Sequence, residues 1–213
     1  MSDIVKNFQN IRSAINNSNV NIIAVSKTFT LDKIKPLIDF GHNHFGENKV
    51  KEAKDKWLNI HQNNPNLQLH MICKLQTNKV KDAVQLFDYI HSLDNEKLAK
   101  AIAKYENLLK KKNKYFIQVN IGNELQKSGI NINKLSDFYS LCKKISLNVI
   151  GLMCIPPNDN NSKKYFIDLS KLNKSLKLDQ VSMGMSSDFL EAIQCGSTFV
   201  RIGSGIFGER VTK

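Results

Sequence analysis

Short β-rich runs alternate with longer stretches of helical periodicity along all 213 residues, and this alternation constrains the fold more than any other feature. The strand candidates are Asn21–Lys27, His42–Asn48, Leu67–Cys73, Phe87–Leu93, Tyr115–Ile121, Leu147–Ile155, Gln180–Met185 and Thr198–Gly203. Between them apolar residues recur at helical spacing. Leu31, Ile34, Leu37 and Ile38 follow the cap candidate Thr30. Leu98, Ala101, Ile102, Tyr105, Leu108 and Leu109 form the clearest stripe, opened by Asp94 or Asn95. Leu135, Phe138, Leu141, Cys142 and Ile145 repeat the pattern, as do Phe166, Leu169, Leu172 and Leu176. A further helix through Ile4, Val5, Phe8, Ile11 and Ile15 precedes the first strand. Strands separated by helices form βαβ units and pair in parallel. Eight such units, with no composition break and no long linker, predict an α/β protein: a single (β/α)8 TIM-type barrel over residues 1–213 with an extra N-terminal helix. An open doubly wound sheet would want a glycine-rich turn after the first strand. Here that turn reads Val25-Ser26-Lys27-Thr28 and contains no glycine.

Composition removes other classes. Apolar residues make up 41% and charged residues 23%, which excludes collagen, a coiled coil, a disordered chain and a disulfide scaffold. No stretch approaches the roughly 20 apolar residues of a membrane helix. The longest candidate, around Val149 to Pro157, is interrupted by Gly151. The N-terminus lacks the apolar core of a secretory signal, so the expected location is cytoplasmic, with no membrane partner. The net charge of +12 raises nucleic-acid binding as a reading. Against it, arginine is confined to Arg12, Arg201 and Arg210, and the densest lysine run, Lys110 to Lys114, sits where a helix should end. Lysines spread over solvated helix faces explain the charge, and no nucleic-acid partner is expected. Cys73, Cys142, Cys154 and Cys195 form no CxxC pair and read as small core residues in a reducing compartment. His42 and His44 would share a strand face but lack a third ligand, so no metal is expected.

In such a barrel, chemistry gathers at the C-terminal ends of the strands. The first strand ends at Lys27, behind the apolar run Ile22-Ile23-Ala24-Val25. Desolvation there would lower the amine's pKa and suit it to condensation with a carbonyl. A lysine snorkelling to water fits the spacing equally well. The second strand ends in Phe45-Gly46-Glu47-Asn48, where Gly46 permits close approach to the backbone and Asn48 either lines the mouth or caps the next helix. In the third connection Thr77 or Asn78 is a cap candidate. Strands seven and eight run into the turns Ser182-Met183-Gly184-Met185-Ser186-Ser187 and Arg201-Ile202-Gly203-Ser204-Gly205. Both free backbone N–H groups toward a helix start, and both occupy the usual phosphate-binding positions of a barrel. Arg201 alternates with Val200 and Ile202 and so points into the barrel, where a ring nitrogen or a carboxylate would serve as its partner. An amine for an aldehyde, a cradle for a phosphate and a fixed cation between them make a site for pyridoxal 5'-phosphate.

The motifs Ala24-Val25-Ser26-Lys27-Thr28, Phe45-Gly46-Glu47-Asn48, Leu75-Gln76-Thr77-Asn78-Lys79, Lys127-Ser128-Gly129, Gly151-Leu152-Met153 and Ser182 to Arg210 occur in an order that resembles the pyridoxal phosphate homeostasis proteins, over essentially the whole chain. The resemblance implies a fold type III barrel like the N-terminal domain of alanine racemase. It implies that Lys27 carries pyridoxal phosphate as a Schiff base. Ser182, Gly203 and Ser204 would hold the phosphate, with Ser204 where threonine is frequent; Arg201 would face the pyridine nitrogen and Asn48 would line the pocket. It further implies a monomeric protein of vitamin B6 homeostasis, with pyridoxal phosphate-dependent apoenzymes as partners. The alternative is a free-standing amino-acid racemase. A two-base racemase needs a second acid/base on the opposite face of the cofactor. With the chain ending at Lys213, the β domain that supplies it in alanine racemases is not expected here. One departure stands out: where the family commonly has Ile-Gly, this chain has Ile72-Cys73, which puts a side chain and a thiol able to attack aldehydes at the mouth.

Overall fold

Eight parallel strands close on themselves in sequence order, each bonded to the next and the last to the first. The structure is a computed structural model and describes residues 2–16, 19–124 and 126–209. Arg210, the last residue of the family motif, lies outside them. The strands are β1 (Asn21–Val25), β2 (His44–Glu47), β3 (Gln68–Met71), β4 (Tyr89–Leu93), β5 (Lys114–Gln118), β6 (Val149–Met153), β7 (Gln180–Met185) and β8 (Phe199–Ile202). The helices are α1 (Asp3–Ile15), α2 (Leu31–Asp39), α3 (Val50–Asn63), α4 (Val80–Leu86), α5 (Glu96–Leu109), α6 (Leu135–Lys144), α7 (Ser162–Ser175), α8 (Phe189–Gln194) and α9 (Ser204–Phe207). The predicted barrel and its preceding helix are thus present. None of the described helices is long and apolar enough to cross a membrane.

Alternation along each strand sorts the core into two parts. Ile22, Ala24, Phe45, Leu69, Ile117 and Val200 face the helix ring and join the main core with Ile34, Leu37, Trp57 and Phe166. Ile23, Tyr89, Phe116, Met153 and Phe199 form a second cluster, which fills the barrel interior. Polar residues share that interior: His70, His91, Ser182 and Arg201 are all buried. Gly184 (φ +90°) turns β7 toward α8, where a Cβ would stand 2.6 Å from that of Ala192.

The local chemistry of the helix starts differs in places from expectation. Asn95 caps α5, its side chain accepting from the Leu98 amide at 2.9 Å. Thr30 occupies the N-cap position of α2 without a side-chain bond. The cap of α3 is Lys49, not Asn48, and Thr77 and Asn78 lie inside a short 3-10 turn after Gln76. Several strands are shorter than predicted. Lys27, Asn48, Cys73, Ile155 and Gly203 all lie just past strand ends, because the chain turns away from its ladder partners at the mouth. At β1 the turn is made by Thr28, at φ 67°.

Candidate functional site

A cavity of about 530 Å³ opens at the C-terminal mouth of the barrel. Five of the residues singled out from the sequence line it: Lys27, Asn48, Arg201, Gly203 and Ser204. Cys73 lines it as well, and its thiol is exposed. Ser182 is placed elsewhere. It is buried beneath the cavity floor, where its Oγ accepts from Arg201 Nη1 at 2.7 Å and lies 2.9 Å from His91 Nδ1. The turn after β7 contributes Met185, Ser186 and Ser187 instead.

Lys27 is half-buried at the cavity wall, and both of its chain neighbours are tied down from behind. Lys56 on α3 donates to the Ser26 carbonyl oxygen at 2.9 Å. The Ser26 hydroxyl donates to Glu47 Oε1 at 2.7 Å, and the Thr28 amide donates to Glu52 Oε1 at 2.5 Å. Glu47 itself is fully buried; its Oε1 also accepts from Lys56 Nζ and Trp57 Nε1, each at 2.9 Å. A buried carboxylate is tolerable only with such compensation. Thr28, a β-branched residue in the left-handed region, is a strained conformation that needs an external hold. This bracket was not assigned from the sequence. Its signal was there: Glu47 alternates with Gly46 on β2 and so faces α3, where Glu52 and Lys56 are four apart on one helix face.

Arg201 reaches the cavity from the interior, as its alternation on β8 predicted. Besides Ser182, Nη2 donates to the Cys154 carbonyl oxygen at 2.9 Å. Burial lowers its pKa from the ordinary arginine value. Among the described residues no carboxylate forms an ion pair with it. The guanidinium carries five donor hydrogens, of which these bonds use two, so donor capacity remains for a ligand.

On the far wall the backbone amides of Gly203 and Gly205 both point at Ser186 Oγ, at 3.3 and 3.4 Å. These are long bonds to a neutral oxygen, and charged oxygens would hold the same donors better. A Cβ on Gly203 would approach no closer than 3.5 Å to Val25, so this wall is open, not filled. The donor set fits one kind of ligand: an anionic group at the Gly203–Ser204 turn, an acceptor near Arg201 and a carbonyl carbon within reach of an amine. That is the chemistry of pyridoxal phosphate. Among the described residues no cluster of metal-ligating side chains is present.

Comparison with known proteins agrees with this reading. Residues 1–211 match the alanine racemase N-terminal domain family. A pyridoxal phosphate homeostasis protein of Pasteurella multocida is 38% identical over 218 residues, spanning 95% of this chain and 94% of the relative. The solved structure of PipY from Synechococcus elongatus, with PLP bound, superposes with a TM-score of 0.88 at 31% identity, covering 96% of this chain and all of that one. An alanine racemase of Clostridium difficile superposes with a TM-score of 0.77 over 99% of this chain but 57% of its own. At 14% identity that likeness is one of fold alone.

Proposed function

The chain belongs to the pyridoxal phosphate homeostasis proteins, a family built on the alanine racemase N-terminal domain, and on that premise we propose that it holds pyridoxal 5'-phosphate at the barrel mouth through the Lys27 amine. The observation that carries this reading is the convergence of Lys27, Arg201 and the Gly203–Ser204 turn on one cavity. In this reading the amides of Gly203 and Gly205 and the hydroxyls of Ser204 and Ser186 take the phosphate. Arg201 donates to the ring nitrogen, and Asn48 lines the side of the pocket. Ser182 serves from below, as the acceptor that holds Arg201, and not as a phosphate ligand. When bound, the cofactor supplies an aldehyde carbon and a ring able to accept electron density.

The protein acts in vitamin B6 homeostasis and not as an amino-acid racemase. A guanidinium opposite the ring nitrogen keeps that nitrogen unprotonated and the ring a poor electron sink. The relatives named above are homeostasis proteins, and the racemase likeness is remote. We place the protein in the cytoplasm as a monomer that passes its cofactor to apoenzymes.

Titration of the purified protein with pyridoxal phosphate, followed by visible absorption, borohydride reduction and peptide mapping, tests the reading. Reduction should fix the label on Lys27, and the Lys27→Ala variant should lose the protein-bound absorption band. Label scattered over surface lysines would refute the assignment. Incubation with alanine in deuterium oxide tests the racemase alternative, and rapid exchange of the α-hydrogen would favour it.

A further inference from the structure

The barrel axis below the cavity is occupied by a row of imidazoles that the proposed function does not use. Arg201 Nη1 lies 2.7 Å from Ser182 Oγ, and Ser182 Oγ lies 2.9 Å from His91 Nδ1. His91 Nε2 is 3.0 Å from His70 Nδ1, and His70 Nε2 is 2.9 Å from His44 Nδ1. His44 is the first residue of β2, so the row runs from the cofactor pocket to the opposite end of the barrel.

We infer that His44, His70 and His91 form one directed hydrogen-bond relay, each neutral with its hydrogen on Nε2, and that Arg201 sets its direction through Ser182. The argument is one of donor counting. A guanidinium only donates. Ser182 Oγ therefore accepts from Arg201, and its single hydrogen goes to its other partner, His91 Nδ1. A neutral imidazole that accepts at Nδ1 carries its hydrogen on Nε2. His91 thus donates to His70 Nδ1, and by the same logic His70 donates to His44 Nδ1. The reverse direction would aim two donors at Ser182 Oγ and strand the serine hydrogen in a buried site.

The rings are held against rearrangement. His70 stacks on Tyr89 with centroids 4.3 Å apart, and His91 stacks on Phe116 at the same separation. Phe199 meets both imidazoles from the side, at 5.9 and 6.2 Å. The surroundings oppose a charged ring as well. Burial comes first in lowering the pKa of all three, bringing His44 down to about 4. Lys114 adds to it at His44 and His70 and Arg201 at His91, while Asp88 alone pulls the other way, at His44.

The relay makes the three histidines positioning residues. They keep Ser182 an acceptor toward Arg201, which leaves the remaining guanidinium hydrogens for the cavity. They also connect the charge state of the pocket with His44 at the far end. The tautomers follow from geometry alone; only the coupling to a ligand rests on the function proposed above.

Long-range 1H–15N correlation spectra of the ligand-free protein at neutral pH read the tautomers directly. Protonated Nε2 and bare Nδ1 are expected on His44, His70 and His91. A hydrogen on Nδ1 of His91, or a charged ring, would overturn the inference. Ser182→Ala removes the hydrogen that fixes His91, so the Nε2–H preference should be lost at His91 and weakened at His70, while Ser182→Thr should retain it. Addition of pyridoxal phosphate should move the His44 nitrogen signals in the wild type and not in Ser182→Ala. Loading of the pocket with His44 unmoved would refute the coupling. Failure of the pocket to load would count against the proposed ligand and leave the tautomers to decide the relay. If Ser182→Ala does not fold, the wild-type tautomers alone decide.

Discussion

Replacing Arg201 by Met separates a residue that holds the barrel together from one that holds a ligand. The guanidinium makes two charge-assisted hydrogen bonds, to Ser182 Oγ at 2.7 Å and to the Cys154 carbonyl at 2.9 Å. Bonds of that type stabilise by about 1.5–3 kcal/mol each, or about 3–6 kcal/mol for the pair. Against them stands the desolvation of a cation, still several kcal/mol after relaxation, with no carboxylate to offset it. The two sides cancel to within about 2 kcal/mol, so Arg201→Met should leave the ligand-free protein near its native stability in urea. Binding has no such compensation. Loss of one charge-assisted bond to the ligand costs about 1.5–3 kcal/mol, which raises Kd about 10- to 160-fold. Equilibrium urea unfolding gives the first quantity and absorbance titration with pyridoxal phosphate the second. A variant that loses more than about 4 kcal/mol of stability yet binds as before would show Arg201 to be a structural brace, and the reasoning would be wrong.

Other consequences follow from the same contacts. Glu106→Leu strands the Asn113 amide and the Tyr115 hydroxyl, which both donate to Glu106 Oε1 at 2.8 Å, and should cost about 3–5 kcal/mol in urea unfolding; a loss below about 1 kcal/mol would refute the account. Gly184→Ala forces a Cβ to within 2.6 Å of Ala192 at φ +90° and should lower stability by about 2 kcal/mol or more, readable as a fall in Tm. His42 and His44 are each held down to about 4 from an ordinary 6.5, chiefly by burial. The unfolded chain therefore binds more protons between those values, so stability is full above pH 6.5 and falls on acidification toward pH 4, by about 1.4 kcal/mol per pH unit for each ring. A Tm that stays flat across that window would contradict the burial of these rings. Cys73 is exposed in the cavity wall, whereas burial pushes the Cys142 and Cys154 thiols up to about 12. A thiol reagent should modify Cys73 before those two, and pyridoxal phosphate should slow that reaction; equal labelling with and without ligand would place Cys73 away from the site.

What the sequence by itself determined is the set of features written in short stretches of chain. The strand–helix alternation reads out the barrel, and its handed, parallel closure follows once eight units are counted. Alternation on β8 aims Arg201 inward, and the glycine-bearing turns after β7 and β8 mark the cavity's phosphate-sized wall. Strand ends were read too long because the residues of the mouth keep apolar, extended character for one or two positions after their ladder partners are gone.

What only the tertiary structure decided depends on partners far apart in the chain. Nothing within reach of Ser182 in sequence says that its hydroxyl answers to His91, 91 residues away, rather than to a phosphate. Nor do His44, His70 and His91 look related until three adjacent strands place them on the same side of the sheet. The bracket behind Lys27 likewise joins β1, β2 and α3 through Glu47, Glu52 and Lys56. A buried polar group takes whatever partner the closed barrel brings to it, because leaving it unpaired is the costlier state, and which partner that is depends on register and closure rather than on local pattern.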